Sequence, residues 1–171
     1  MNSFTILLAL LAMISDPRRS RGKIYQLEYV LLFTILAIVS GANSYRGIRT
    51  FIKIHRQRLN KAFGIRWKKP PAHTALRYIL QGLNGTNVET IFRQHAANIN
   101  DGSHAPGTRS LSLDGKTLRG SFDAFHDVRA KQILSAFAVG TGLVVAHIEI
   151  DEKSNEIPAA QQLLTELGIA D

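Results

Sequence analysis

The chain contains no cysteine. This excludes a disulfide framework and any thiolate metal site, so a bound metal must be held by oxygen or imidazole. Carboxylates are missing from a long interval as well: no Asp or Glu lies between Glu28 and Glu89. An ordinary solvated helix mixes signs to gain i,i+4 pairs, so a basic stretch without carboxylates points to phosphate as its counter-charge. Long apolar runs are also absent. The run Tyr29–Ala42 has 14 residues, short of the roughly 20 needed to cross a bilayer, so a buried helix is expected there. Phe4–Ile14 has neither a basic n-region nor a small-residue cleavage pattern, which argues against a signal peptide.

What is present is a 171-residue chain, 45% hydrophobic, long enough for one ordinary domain or two small ones. Its net charge of +8 is unevenly placed. Residues 1–108 carry 15 Lys/Arg against 4 Asp/Glu, and residues 109–171 carry 6 against 9. A basic front half joined to a mildly acidic rear half suits a nucleic-acid grip attached to a carboxylate-bearing site.

The first half reads as helical. Asn2 or Ser3 can cap a first helix that ends before Asp16-Pro17. A basic link, Arg18–Lys23, leads to the apolar helix from about Ile24 to Val39, and Asn43 or Ser44 can cap the next, Tyr45–Phe63. At about 100° per residue this third helix sorts into two faces. Ile48, Phe51, Ile52, Leu59, Ala62 and Phe63 fall on one side, and Arg46, Arg49, Lys53 and Arg56 on the other, with Ile54 and Arg58 out of pattern. Nine Lys/Arg fall between Arg46 and Lys69. Arg46, Arg49, Lys53, Arg56, Lys68 and Lys69 are therefore the candidate DNA contacts. Trp67 could stack on a base, although a linker tryptophan is expected to dock on its own core.

Two shorter helices follow, His73 or Thr74 to Gln81 and Val88–Ile99, joined by a Gly/Asn turn over residues 82–87. The pair is a weak helix-turn-helix signal, since its second member carries only Arg93 as a basic residue. Residues 98–107 form a polar loop and a natural domain boundary. There the periodicity changes from helical to two-residue. Ser110–Asp114 reads as a strand ending at Asp114, and Gln132–Val139 and Leu143–Ile150 as an antiparallel hairpin around Gly140-Thr-Gly142. Both hairpin strands are apolar at nearly every position and are expected to lie centrally in a covered sheet. Ser154 or Asn155 then caps a helix with Pro158 in its first turn and Gly168 past its end.

By itself "DG" at Asp114-Gly115 reads as a turn. Its surroundings read differently. "LSLDGKTLRGS" (Leu111–Ser121), the hairpin, and "DEKSNEI" (Asp151–Ile157) together resemble the DDE transposases of the H-repeat-associated, ISAs-type insertion sequences. "DPRRSRGKIYQLEYVLLFTILAIVSGANSYRGI" (Asp16–Ile48) is similar to the helical domain that accompanies their catalytic core, and "PPAHTALRYIL" (Pro70–Leu80) to its second block. The resemblance implies an α+β chain: an N-terminal all-helical DNA-binding domain, 1–108, and the first part of a ribonuclease-H-like domain, 109–171, containing its first strand, hairpin and helix. It implies Asp114 as the first of three carboxylates that hold Mg²⁺ or Mn²⁺, with Lys116 and Arg119 as phosphate contacts. It leaves Glu152, Asn155 and Glu156 without a role. The partners implied are insertion-sequence ends, a second copy or an intact transposase, in a bacterial cytoplasm on the nucleoid, with no membrane.

Phosphoryl transfer at a DNA strand uses two divalent cations, and one carboxylate cannot hold a pair of ions that repel each other. The second Asp and the Glu are expected after the last helix, and Asp171 comes too early to be the former. The expectation is thus a truncated transposase, inactive alone. Two rivals stand beside it: a non-enzymatic DNA-binding remnant that modulates an intact transposase, and a membrane anchor at Tyr29–Ala42. The six histidines show no paired metal spacing, His147 is expected to be packed or hydrogen-bonded, and Asp123 and Asp127 are expected on polar surface.

Overall fold

The computed structural model describes residues 3–101, 110–118, 131–139, 142–150 and 156–168. It contains six helices and a three-stranded antiparallel sheet, an α+β composition. Two units are distinguished, Met1–His95 and Ala96–Asp171. The boundary expected over residues 98–107 lies mostly outside the described residues.

In the first unit α1 spans Ser3–Leu11, α2 Leu27–Val39, α3 Tyr45–Phe63 and α4 His73–Gln81, while α5, Gly85–Asp101, runs past its end. Helix α2 is the centre. Its 13 residues are apolar nearly all round, and seven of them are buried: Leu27, Val30, Leu31, Leu32, Phe33, Thr34 and Ala37. A helix apolar on every side belongs inside a core or a membrane. By length and composition alone Ser20–Val39 could span a bilayer. The helix within it is too short for that, and its buried side chains belong to one core cluster with Leu11, Ile48, Ile52, Leu76 and Ile91. Thr34, the one buried polar residue of α2, donates its hydroxyl to the Val30 carbonyl at 2.8 Å and so is satisfied within the helix.

An aromatic cluster closes this core. Trp67 is 8% exposed and meets Phe33 edge-on at 5.1 Å and Tyr25 at 4.9 Å, while Phe63 reaches Phe33 at 5.6 Å. Trp67 is therefore docked in its own core, as expected of a linker tryptophan. Such pairs add about 0.5–1.5 kcal/mol each beyond burial.

Four helix boundaries differ from expectation, one being the end of α5 at Asp101 rather than Ile99, so residues 98–101 are helix and not loop. Helix α1 ends at Leu11, and the chain turns on through Met13 and Ile14, whose amides donate to Leu10 and Leu11. Helix α2 starts at Leu27, three residues late, because the Gly22 and Tyr25 carbonyls are taken by the Arg18 guanidinium. Helix α5 starts at Gly85, three residues early, because the Asn84 side chain accepts the Asn87 amide at 3.0 Å and caps the first turn. Its Arg93 is engaged by Glu89 at 2.8 Å one turn back, which weakens the case for a DNA-reading second helix.

In the second unit β1 spans Leu111–Leu118, β2 Lys131–Ala138, β3 Leu143–Ile150 and α6 Glu156–Glu166. The strand order is β1-β2-β3, with a bulge at Ala136/Phe137. Gly142 closes the hairpin at φ +67, donating its amide to Ala138; only glycine reaches that backbone region without strain. Leu134, Ala136, Ala146 and Ile150 pack against Ala159 and Leu163 of α6. The expectation that both hairpin strands are central is corrected: β2 is central, while β3 forms an edge of the described sheet. Among the described residues Ala146, Ile148 and Ile150 of β3 lie on the side covered by α6, while Val144 is exposed.

Candidate nucleic-acid interface and carboxylate site

Helix α3 is positioned by both of its ends. Ser44 accepts the Gly47 amide at 3.1 Å as N-cap, and Gly64, at φ +65, ends the helix in the left-handed conformation. Ile48, Ile52 and Leu59 are buried, and Phe51 and Phe63 half-buried, so the apolar face lies in the core. Ala62, assigned to that face from the sequence, is exposed. Arg46 and Lys53 are exposed, Arg49 and Arg56 half-buried. Among the described residues Arg46, Arg49, Lys53, Arg58, Lys61, Arg66, Lys68 and Lys69 form no ion pair. The cations thus sit along a rigid helix and its trailing linker with no carboxylate neutralising them.

That linker is tied down. Asn60 donates its side-chain amide to the Trp67 carbonyl at 3.1 Å and accepts the Trp67 amide at 3.3 Å. Arg56 donates to the Lys68 carbonyl. Lys68 and Lys69 are exposed on a segment anchored on both sides of α3's last turns. Arg56 therefore has a structural bond in addition to its place on the basic side.

Sequence reasoning missed the arrangement around Arg18. The stretch read as a basic link opens on a buried guanidinium, that of Arg18, while Arg19, Arg21 and Lys23 are exposed. Arg18 donates through Nε and Nη2 to the two Asp16 carboxylate oxygens, both at 2.8 Å, and through Nη2 to the Tyr25 carbonyl at 2.8 Å. The Arg18 side chain is 4% exposed and that of Asp16 17%. The hydrogen bond from Arg18 holds the Asp16 carboxyl below its ordinary value of 3.8, outweighing partial burial, which pushes the other way. The signal was available: Asp-Pro-Arg places a carboxylate two residues before a guanidinium across a fixed turn. His95 was missed too. Its Nδ1 is buried without a hydrogen-bond partner among the described residues, and burial lowers its pKa from 6.5, favouring neutral imidazole.

Asp114 stands in the interior of β1, not at a strand end or a turn. Gly115, Lys116, Thr117 and Leu118 continue the strand, paired with Leu134, Ile133, Gln132 and Lys131. Local Asp-Gly chemistry favours a turn, and tertiary pairing with β2 overrides it. The register places Asp114 opposite Ser135, and Ser135 opposite His147. Directly paired residues share a face, so these three form a row across the sheet on the side away from Leu134 and Ala136. Asp114 and Lys116 are exposed, His147 half-buried. Lys116 is in the next row with Ile133 and Glu149, and Glu149 pairs with Lys131 at 2.8 Å. On the opposite face Glu156, the first residue of α6, lies over Gly115. Arg119, Asp123, Asp127, Glu152, Asn155, Asp171, His104 and His126 lie outside the described residues.

A divalent-cation pair needs several converging carboxylates. Among the described residues no group of three His, Cys, Asp or Glu could hold a metal ion. Asp114 with one imidazole in its row does not complete such a site.

The basic helical region matches the family model described as DDE_Tnp_1-associated over residues 8–96. Curated relatives cover most of the chain. The Escherichia coli (strain K12) protein named "H repeat-associated putative transposase YhhI" is 31% identical over 93% of this chain and 41% of its own length. "Putative transposase YncI" of E. coli O157:H7 is 30% identical over 98% of this chain and 42% of its own. "H repeat-associated putative transposase YbfD" of strain K12 is 29% identical over 93% and 61%. The chain spans about two fifths of the length of YhhI and YncI. No solved structure matches it.

Proposed function

Because this chain belongs to the DDE_Tnp_1-associated family, we propose that it is the DNA-gripping part of an insertion-sequence transposase and carries the first carboxylate of the catalytic centre. The observation that carries the DNA reading is the set of cations on α3 and its anchored linker without ion-pair partners among the described residues. Holding many cations together without carboxylates raises the energy of the free protein. Phosphates relieve it and release their own counterions, so affinity falls steeply with salt. Arg46, Arg49, Lys53, Lys68 and Lys69 are the proposed phosphate contacts, with Arg56 divided between DNA and the linker.

For the second unit the proposal is the opening of a ribonuclease-H-like catalytic domain. An antiparallel meander in the order β1-β2-β3, followed by a helix packed on one face, is consistent with it. Asp114 would supply one ligand to a Mg²⁺ or Mn²⁺ ion, and Lys116 and Arg119 would lie near the DNA backbone. Metal-dependent cutting and joining of element ends is proposed for the transposase as a whole, with DNA ends and further transposase copies as partners.

Binding of the 171-residue chain to duplex DNA, followed by fluorescence anisotropy, tests the first unit. Salt-sensitive binding supports the proposal, and no binding at low salt overturns it. For the second, Mn²⁺ added to the chain should broaden NMR signals around Asp114, and Asp114→Asn should abolish that broadening; broadening that survives the substitution removes Asp114 from the centre.

A further inference from the structure

Gly115 has no conformational reason to be glycine. It lies inside a paired strand and is not among the glycines with positive φ. A glycine there weakens a strand by roughly 0.5–1 kcal/mol relative to alanine, so its presence calls for a close approach by another group. That group is Glu156. A Cβ built on Gly115 would lie 2.8 Å from Glu156 Oε1 and 3.4 Å from its Cδ. The two stretches that stand out in the sequence, "DGKTLRG" and "DEKSNEI", meet at this point. Helix α6 cannot back away as a body, because Ala159 and Leu163 are buried against Leu134, Ala136 and Ala146.

We infer that Gly115 is a seat for the Glu156 carboxylate, and that Glu156 is a positioning residue. It presses on β1 from the α6 side and fixes the backbone from which Asp114 and Lys116 project on the other side. Its consequence for function rests on Asp114 being the working carboxylate. Glu156 is also in the first turn of α6, where a negative charge is favourable for the helix itself. The two roles separate in an experiment, because a charge serving only α6 leaves β1 unaffected.

The displaced atom in Gly115→Ala is the far end of a flexible side chain, so the protein should fold with its carboxylate unseated. Native-state amide exchange, read by NMR on the 171-residue chain, reports the result. Gly115→Ala is expected to speed exchange at residues 114–116 about tenfold while the α6 amides keep their protection. Glu156→Ala should do the same, the double variant should be no faster than either single, and Glu156→Gln should restore most of the protection. Independent, multiplying effects in the double variant overturn the inference. So does a Glu156→Ala variant that loosens α6 and leaves residues 114–116 unchanged. Mn²⁺ broadening around Asp114, lost in Asp114→Asn, reports separately on the metal-ligand role, so the failure of either is recognised without the other.

Discussion

Sixteen buried hydrophobic residues, Phe33 and Trp67 among them, form the core of the helical unit; six, none larger than leucine, form that of the sheet unit among the described residues. The helical unit also buries an ion pair, Asp16–Arg18, and leaves the cations of α3 unpaired at its surface. The sheet unit pairs Lys131 with Glu149 in the open and presents Asp114 on an exposed strand. A thick core lets one unit hold uncompensated surface charge that costs stability. The thin core of the other depends on Ala159 and Leu163 of α6 packing against β2 and β3.

The sharpest way to break this contrast is at the aromatic centre. Phe33→Ala removes a side chain touching Tyr29, Phe63 and Trp67 and should destabilise the helical unit by about 4 kcal/mol. Calorimetry with NMR assignment should show the loss there while β1–β3 signals persist below the new transition.

Asp16→Ala comes next, at about 3 kcal/mol, because it strands a buried guanidinium. The same pair sets an acid limit. Asp16's folded pKa is depressed, so its stabilisation is fully present above the unfolded value near 4 and is lost as pH falls through the lower folded value. His95 adds an earlier limb: its folded pKa is also lowered, so protonation opposes folding as pH drops below about 6.5. Melting curves of the helical unit should show both windows in wild type, and Asp16→Asn should remove the lower one.

In the sheet unit Leu163→Ala should cost about 2–3 kcal/mol. Against so small a core this is expected to release α6 from β2 and β3, visible as rapid exchange of the buried amides of β2. Single neutralisations on α3 are the smallest effects, under about 1 kcal/mol each on DNA affinity and near zero on stability.

Helix α3 was legible because its signals are local. Ser44 caps it, the apolar residues recur at helical spacing, and its expected and observed ends agree at Tyr45 and Phe63. The start of α2 was not legible, because it depends on Arg18 reaching carbonyls four and seven residues away. Strand β1 was read four residues short at Asp114, since "DG" looks like a turn until Leu134 and Lys131 pair across it. Of the candidate site, the basic side of α3 followed from periodicity, Asp114 from the resemblance, and the Gly115–Glu156 contact from neither. A contact between residues so distant in sequence leaves only an unexplained glycine as its local trace.

The central claim, that the helical unit grips the DNA backbone through α3, is tested most directly by the salt dependence of duplex binding in wild type and in Arg46→Gln/Arg49→Gln/Lys53→Gln. The account predicts log affinity falling linearly with log salt, with the slope reduced by about one for each cation removed and the melting temperature no lower than in wild type. A slope unchanged by the three substitutions would contradict it.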